Sequence, residues 1–88
     1  MIRVVVADDQ ELIRDGLALM LDASDSVSVV GRAADGAEAI APARRLQPDV
    51  VLMDVRMPRV DGIAATRAIA RDVPATHVLV LTTYDLDD

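Results

Sequence analysis

The sequence predicts an α/β fold, a doubly wound and largely parallel sheet, on the strength of three observations. Short β-branched apolar runs alternate with stretches of helical apolar spacing in the order β-α-β-α-β-α-β. The runs are apolar at nearly every position, the pattern of strands covered on both faces. Turn-forming pairs stand between the segments: Asp35-Gly36, Pro48-Asp49 and Asp61-Gly62. Strands joined by helical crossovers return to the same end of the sheet each time, which makes neighbours parallel.

Ile2 to Ala7, interrupted only by Arg3, is the first strand. A helix is expected from about Gln10 to Asp22, with Ile13, Leu17, Met20 and Leu21 at core-facing spacing, Leu12 and Leu19 broadening the stripe, and Arg14 and Asp15 on the polar side. Val27 to Val30 reads as a short second strand. Asp35-Gly36 opens a second helix that runs to about Leu46. Pro42 within it predicts a kink or a late start, because proline removes a backbone donor and crowds the preceding turn. Val50 to Met53 is the third strand, ending on Asp54. The third helix is expected from about Gly62 to Arg71, with Ile63, Thr66 and Ile69 near one face. Val78 to Leu81 is the fourth strand, closing on Thr82. Its unbroken apolar character predicts neighbours on both sides, so the sheet reads as one strand short, and Asp85-Leu86-Asp87-Asp88 reads as the start of another helix.

Composition narrows the function. The chain has 88 residues, enough for one domain, with 9 basic and 15 acidic side chains and a net charge of −6. That balance gives no footprint for nucleic acid or an anionic membrane surface. Hydrophobic residues make up 52% of the chain, too many for disorder, in runs too short to span a membrane. The absence of cysteine excludes disulfides and thiolate metal sites, and the start MIRVVV lacks the form of a signal peptide, so a cytoplasmic address is expected. All nine basic residues are arginine. His77, at the entry to the fourth strand, and the pairs Arg44-Arg45, Arg56-Arg59 and Arg67-Arg71 read as surface residues.

In open α/β sheets, functional side chains gather outside the carboxyl ends of the strands, beside the switch in strand order. Here the first strand ends at Asp8-Asp9, the third at Asp54 and the fourth at Thr82. Were strands one and three neighbours, three carboxylates would converge, and their mutual repulsion would call for a cation. Mg²⁺ suits that set, since it takes oxygen ligands and keeps several waters. A carboxylate beside such a cation can act as a nucleophile toward phosphorus, with a hydroxyl such as Thr82 holding a phosphoryl oxygen.

Val4-Val5-Val6-Ala7-Asp8-Asp9, Pro48-Asp49-Val50-Val51-Leu52-Met53-Asp54, Met57-Pro58 with Asp61-Gly62, and Leu81-Thr82 together closely resemble the receiver domain of two-component response regulators. The resemblance covers the whole chain and implies a flavodoxin-like sheet. Asp9-Gln10-Glu11-Leu12-Ile13-Arg14, Val30-Gly31-Arg32-Ala33 and Thr82-Thr83-Tyr84-Asp85 are most similar to the NarL/LuxR class. The resemblance implies that Asp54 accepts a phosphoryl group from the phosphohistidine of a sensor histidine kinase. It further implies Asp9 as a direct Mg²⁺ ligand beside Asp54, Asp8 as an acid reaching the metal through water, the backbone carbonyl of Arg56 as a third protein ligand, and Thr82 as the switch hydroxyl. The resemblance also implies that Arg56 and Tyr84 occupy the positions that tune how fast water removes the phosphate.

The departures from the family are specific. The lysine that ends the family's fifth strand has no counterpart here, nor does that strand, so residues 1–88 read as a receiver domain incomplete at its carboxyl end. The helix-turn-helix output domain through which the NarL/LuxR class binds DNA is absent too, so DNA and transcription enter only through that domain. The reading is therefore of a self-modifying signalling domain, not a turnover enzyme. The alternative is a non-phosphorylated interaction module that forms a homodimer or exchanges strands through the bare edge of the fourth strand. A haloacid-dehalogenase-like phosphatase also uses an aspartyl phosphate, but it expects a second aspartate two residues after the nucleophile, where Arg56 stands.

Overall fold

The computed structural model describes residues 1–54 and 62–81. Four parallel strands form one sheet in the order β2-β1-β3-β4. The chain runs β1 (Ile2–Ala7), α1 (Glu11–Asp22), β2 (Val27–Ala33), α2 (Gly36–Leu46), β3 (Val50–Asp54), α3 (Gly62–Asp72) and β4 (His77–Leu81). The expected alternation is therefore the observed one, and β1 and β3 are adjacent. The sheet changes its direction of growth between them, since β2 lies on one side of β1 and β3 on the other.

One face of the sheet carries α2 and α3, the other α1. Val5 and Ala7 of β1 and Val51 and Met53 of β3 form one buried cluster with Ala39 and Ala43 of α2 and Ala65 and Ile69 of α3. Alternation along the strand turns Val4 and Val6 the other way, where they are buried on the side of α1 and its inward Ala18. The alanines on α2 and α3 let the helix axes lie close to the sheet. Space is tight at Gly31, where a Cβ would sit 3.2 Å from Leu46 Cδ1 and 3.4 Å from Val5 Cγ2.

Several expectations are corrected by these contacts. β2 extends to Ala33, three residues beyond the expected end at Val30. The extension is carried by a bulge, where the register against β1 passes from Val4↔Val29 to Val5↔Gly31. α2 begins at Gly36, so Pro42 does not delay it. Its start is fixed by Asp35, whose side chain accepts from the Glu38 amide at 2.8 Å, while Glu38 reaches back to accept from the Ala34 amide at 2.8 Å. That reciprocal cap compensates for the hydrogen bond that Pro42 cannot make. On α1, Met20 is 73% exposed and Leu12 and Leu19 also face outward; the inward face is Arg14, Leu17, Ala18 and Leu21. Apolar residues cover too much of this helix for spacing alone to choose its buried side. On α3, Ile63 is likewise exposed and Gly62, Ala65 and Ile69 form the inner stripe. β4 pairs only with β3 among the described residues, and Leu79 is 53% exposed.

Opposite the site, the amino ends of the strands are pinned by polar contacts. The Arg3 guanidinium donates to the carbonyls of Leu46 at 2.8 Å and Gln47 at 3.2 Å, closing the carboxyl end of α2 where Gln47 turns into the left-handed region. The Asp49 carboxylate accepts from the Arg3 amide at 2.8 Å, and the Thr76 hydroxyl donates to the buried Pro48 carbonyl at 2.6 Å. Asp72 of α3 takes Arg44 of α2 and its own neighbour Arg71, which hold its carboxyl down to about 2. Replacing Arg3 with Met leaves the helix-end carbonyls without their cation; chemical denaturation is expected to show a loss of about 1–2 kcal/mol with an unchanged m-value.

Candidate functional site

In-register pairing places the acids. Ala7 of β1 lies opposite Met53 of β3, so Asp8 and Asp54 are the next residues along two adjacent strands. Neighbouring strands run about 4.8 Å apart, so two carboxylates at matched strand ends must meet. One carboxylate oxygen each from Asp8, Asp9 and Asp54 lies within 4.8 Å of the others. Asp8 is 3% exposed and Asp54 6%, while Asp9 is open to solvent. The sequence-derived convergence is therefore present for all three.

Asp8 is fixed from several directions. Its amide donates to the Ala33 carbonyl at 3.1 Å, tying it to the end of β2. Its Oδ1 accepts from the Gln10 amide at 2.9 Å, a turn that leads the chain into α1. Its main-chain carbonyl accepts from Arg14 Nη1 at 2.9 Å. Burial raises the Asp8 carboxyl above its ordinary value, and the charges of Asp54 and Asp9 push it the same way; the Gln10 amide and Arg14 pull it down.

Arg14, which helical spacing places on the polar side of α1, lies against the site instead. It is half-buried one turn into the helix, on the same side as Leu17, Ala18 and Leu21. Its place four residues after Gln10 stacks it over the β1–α1 turn, where its partner is the main-chain carbonyl of Asp8. Beside it lies an open cleft lined by Glu11, Arg14, Asp15, Arg32, Ala33, Ala34 and Glu38, across which Arg32 pairs with Asp15 at 3.1 Å. The remaining assignments, the Arg56 carbonyl, Thr82 and Tyr84, lie outside the described residues.

The donor set fits a hard cation. It offers carboxylate oxygens without histidine or cysteine, two of its three acids are buried, and Asp8 is raised first by burial and further by the charges of Asp54 and Asp9, which a cation would offset.

This fold is shared with known proteins. Residues 4–88 match the family model described as the response regulator receiver domain, and the chain belongs to that family. The transcriptional regulatory protein LiaR of Bacillus subtilis is 46% identical over 88 residues, which are 100% of this chain and 42% of LiaR. The receiver domain of the response regulator NarL from Mycobacterium tuberculosis superposes with a TM-score of 0.86 at 44% identity, over 96% of this chain and 68% of that one. RcsB from Salmonella enterica serovar Typhimurium, solved bound to the promoter rprA in the presence of the phosphomimetic BeF₃⁻, gives a TM-score of 0.84 at 30% identity, over 96% of this chain and 43% of RcsB. The chain thus spans about 40% of the length of curated relatives such as LiaR. No helix among the described residues is long and apolar enough to cross a membrane.

The sign of the Asp8 shift sets a stability prediction. With its folded value raised, Asp8 holds its proton longer in the folded state, so metal-free stability falls as pH rises from the unfolded value through the folded one. Asp8→Asn keeps an acceptor for the Gln10 amide and removes the charge. Calorimetry in a chelator is expected to show a melting temperature on the order of a few degrees higher at pH 7, a gain that vanishes near pH 3.

Proposed function

We propose that this chain is a phosphoryl-accepting signalling domain in which Asp54 is the acceptor. The observation that carries the reading is the convergence of the Asp8, Asp9 and Asp54 carboxylates at the carboxyl ends of β1 and β3, within 4.8 Å of one another. Asp9 and Asp54 would hold Mg²⁺ directly and Asp8 through water, with the Arg56 carbonyl as the further protein ligand. When bound, the cation supplies neutralisation of the charge on the transferring group.

The donor is the phosphohistidine of a sensor histidine kinase. An Asp54 oxygen attacks phosphorus, the phosphorus–nitrogen bond breaks, and the imidazole leaves with the bonding pair, giving an acyl phosphate on Asp54. Thr82 then takes a phosphoryl oxygen, which couples the modification to the surface that an output domain reads. One phosphoryl group is taken up per chain, so the domain is a switch and not a turnover enzyme. In a longer protein of the LiaR, NarL or RcsB kind, the output is transcription through a separate DNA-binding domain, and the setting is the cytoplasm. The net charge of −6 supports leaving DNA to that other domain.

Incubation with acetyl phosphate and Mg²⁺, followed by intact-mass spectrometry, is expected to add one phosphoryl group, and Asp54→Asn or a chelator to abolish it. An adduct that persists in Asp54→Asn would refute Asp54 as the acceptor.

A second use is supported by the exposure of Leu79, Val80 and Leu81 on β4, which pairs on one side only among the described residues. Such an edge can pair with a second copy. Light scattering is expected to give a mass that doubles with concentration, whereas a monomer throughout would exclude pairing.

A further inference from the structure

The acids account for the chemistry but not for their own placement. Asp8 is the hinge between a strand buried on both sides and the turn that delivers Asp9, and three hydrogen bonds act on it. Two come from the backbone: the Ala33 carbonyl accepts its amide, and the Gln10 amide donates to its carboxylate. The third comes from a side chain, the Arg14 guanidinium, which donates to the Asp8 carbonyl at 2.9 Å. That carbonyl belongs to the peptide linking Asp8 to Asp9. Fixing its oxygen fixes the plane of the peptide, and with it the direction in which Asp9 leaves the strand.

We infer that Arg14 is a positioning residue for the cation site, holding the Asp8–Asp9 peptide so that both carboxylates converge on Asp54. The inference rests on reading the acidic cluster as a Mg²⁺ site. Arginine suits the task because its guanidinium is planar, permanently charged and weakly hydrated, and so tolerates half-burial while keeping a fixed donor direction. A lysine at this place would supply the charge without that directed fork. Arg14 also grips its own helix, its amide donating to the Gln10 carbonyl at 2.9 Å, so the guanidinium is presented from the first turn of α1. The contact therefore ties the helix start to the strand end across the very turn that carries Asp9.

Charge and position act in opposite directions here, which makes the role testable. As a cation near the acids, Arg14 repels Mg²⁺, so removing its charge alone would tighten binding. As a positioning residue, it preorganises the ligands, and losing it weakens binding by about tenfold or more, the usual cost of removing a group that orients metal ligands.

The experiment is calorimetric titration of Mg²⁺ into the 88-residue chain, its Arg14→Met and Arg14→Lys variants and an Asp9→Asn control. All are compared well below their melting ranges, which are measured in parallel. Positioning predicts that Met and Lys both weaken Mg²⁺ binding by about tenfold, irrespective of any change in melting temperature. Tighter binding in Met with no change in Lys would show a purely electrostatic role and overturn the inference. So would lower melting temperatures with unchanged affinity, or a failure of both variants to fold, each the mark of a merely structural residue. Wild-type chain that binds no Mg²⁺, or binds it equally after Asp9→Asn, would instead locate the failure in the reading of the acidic cluster, and the role of Arg14 would fall with it.

Discussion

The in-register pairing of β1 with β3 is the constraint on which the site depends. Ala7 against Met53 commits the following residues, Asp8 and Asp54, to adjacent strand ends whatever their charges prefer. A one-residue slip would turn one of the two toward the opposite face. The register is held from below by groups distant from the acids: Asp49 accepts from the Arg3 amide and donates its own amide back to the Arg3 carbonyl at 2.9 Å. It is held from the side by Val5, Val51 and Met53, which lock into the alanine-rich inner faces of α2 and α3. Hydrophobic packing thus imposes an arrangement that electrostatics alone would scatter.

That arrangement is costly in the absence of a counterion. Asp8 is buried among its fellow acids, and both its burial and its neighbours raise its carboxyl, while the Gln10 amide and Arg14 offset only part of the penalty. A cation or a phosphoryl–cation pair changes the balance at this one spot, which is what a switch requires: a locally unfavourable state that binding relieves. Around Asp8, the Ala33 carbonyl and the Gln10 amide hold position from the backbone and bring no formal charge to the cluster.

Much of this was legible in the sequence, for identifiable reasons. The strands β1 and β3 are unbroken apolar runs bounded by turn residues, and their terminal aspartates mark the functional end of the sheet. Burial on the helices was harder to read. Leu12, Ile13, Leu17, Leu19, Met20 and Leu21 spread over more than half the circumference of α1, so periodicity did not select Leu17 and Leu21 over Met20. The end of β2 was hidden by Gly31 and Arg32, which look like a turn but continue the strand beyond its bulge. Arg14 was missed because an arginine on an amphipathic helix reads as solvated surface, and its partner is a main-chain carbonyl that carries no sequence signal. The acids could be found by residue type; the group that aims them required coordinates.

The carboxylates of Asp8, Asp9 and Asp54 stand together at the β1–β3 switch as one proposed cation site. Mn²⁺, which shares the oxygen preference of Mg²⁺ and broadens nearby nuclear resonances, tests it directly. Titrated into isotopically labelled protein, it is predicted to erase the amide signals of residues flanking Asp8, Asp9 and Asp54 first, to spare those near Arg3 and Thr76 at the other end of the sheet, and to lose this pattern in Asp9→Asn. Broadening spread evenly over the acidic surface, or centred away from the β1 and β3 strand ends, would contradict the account.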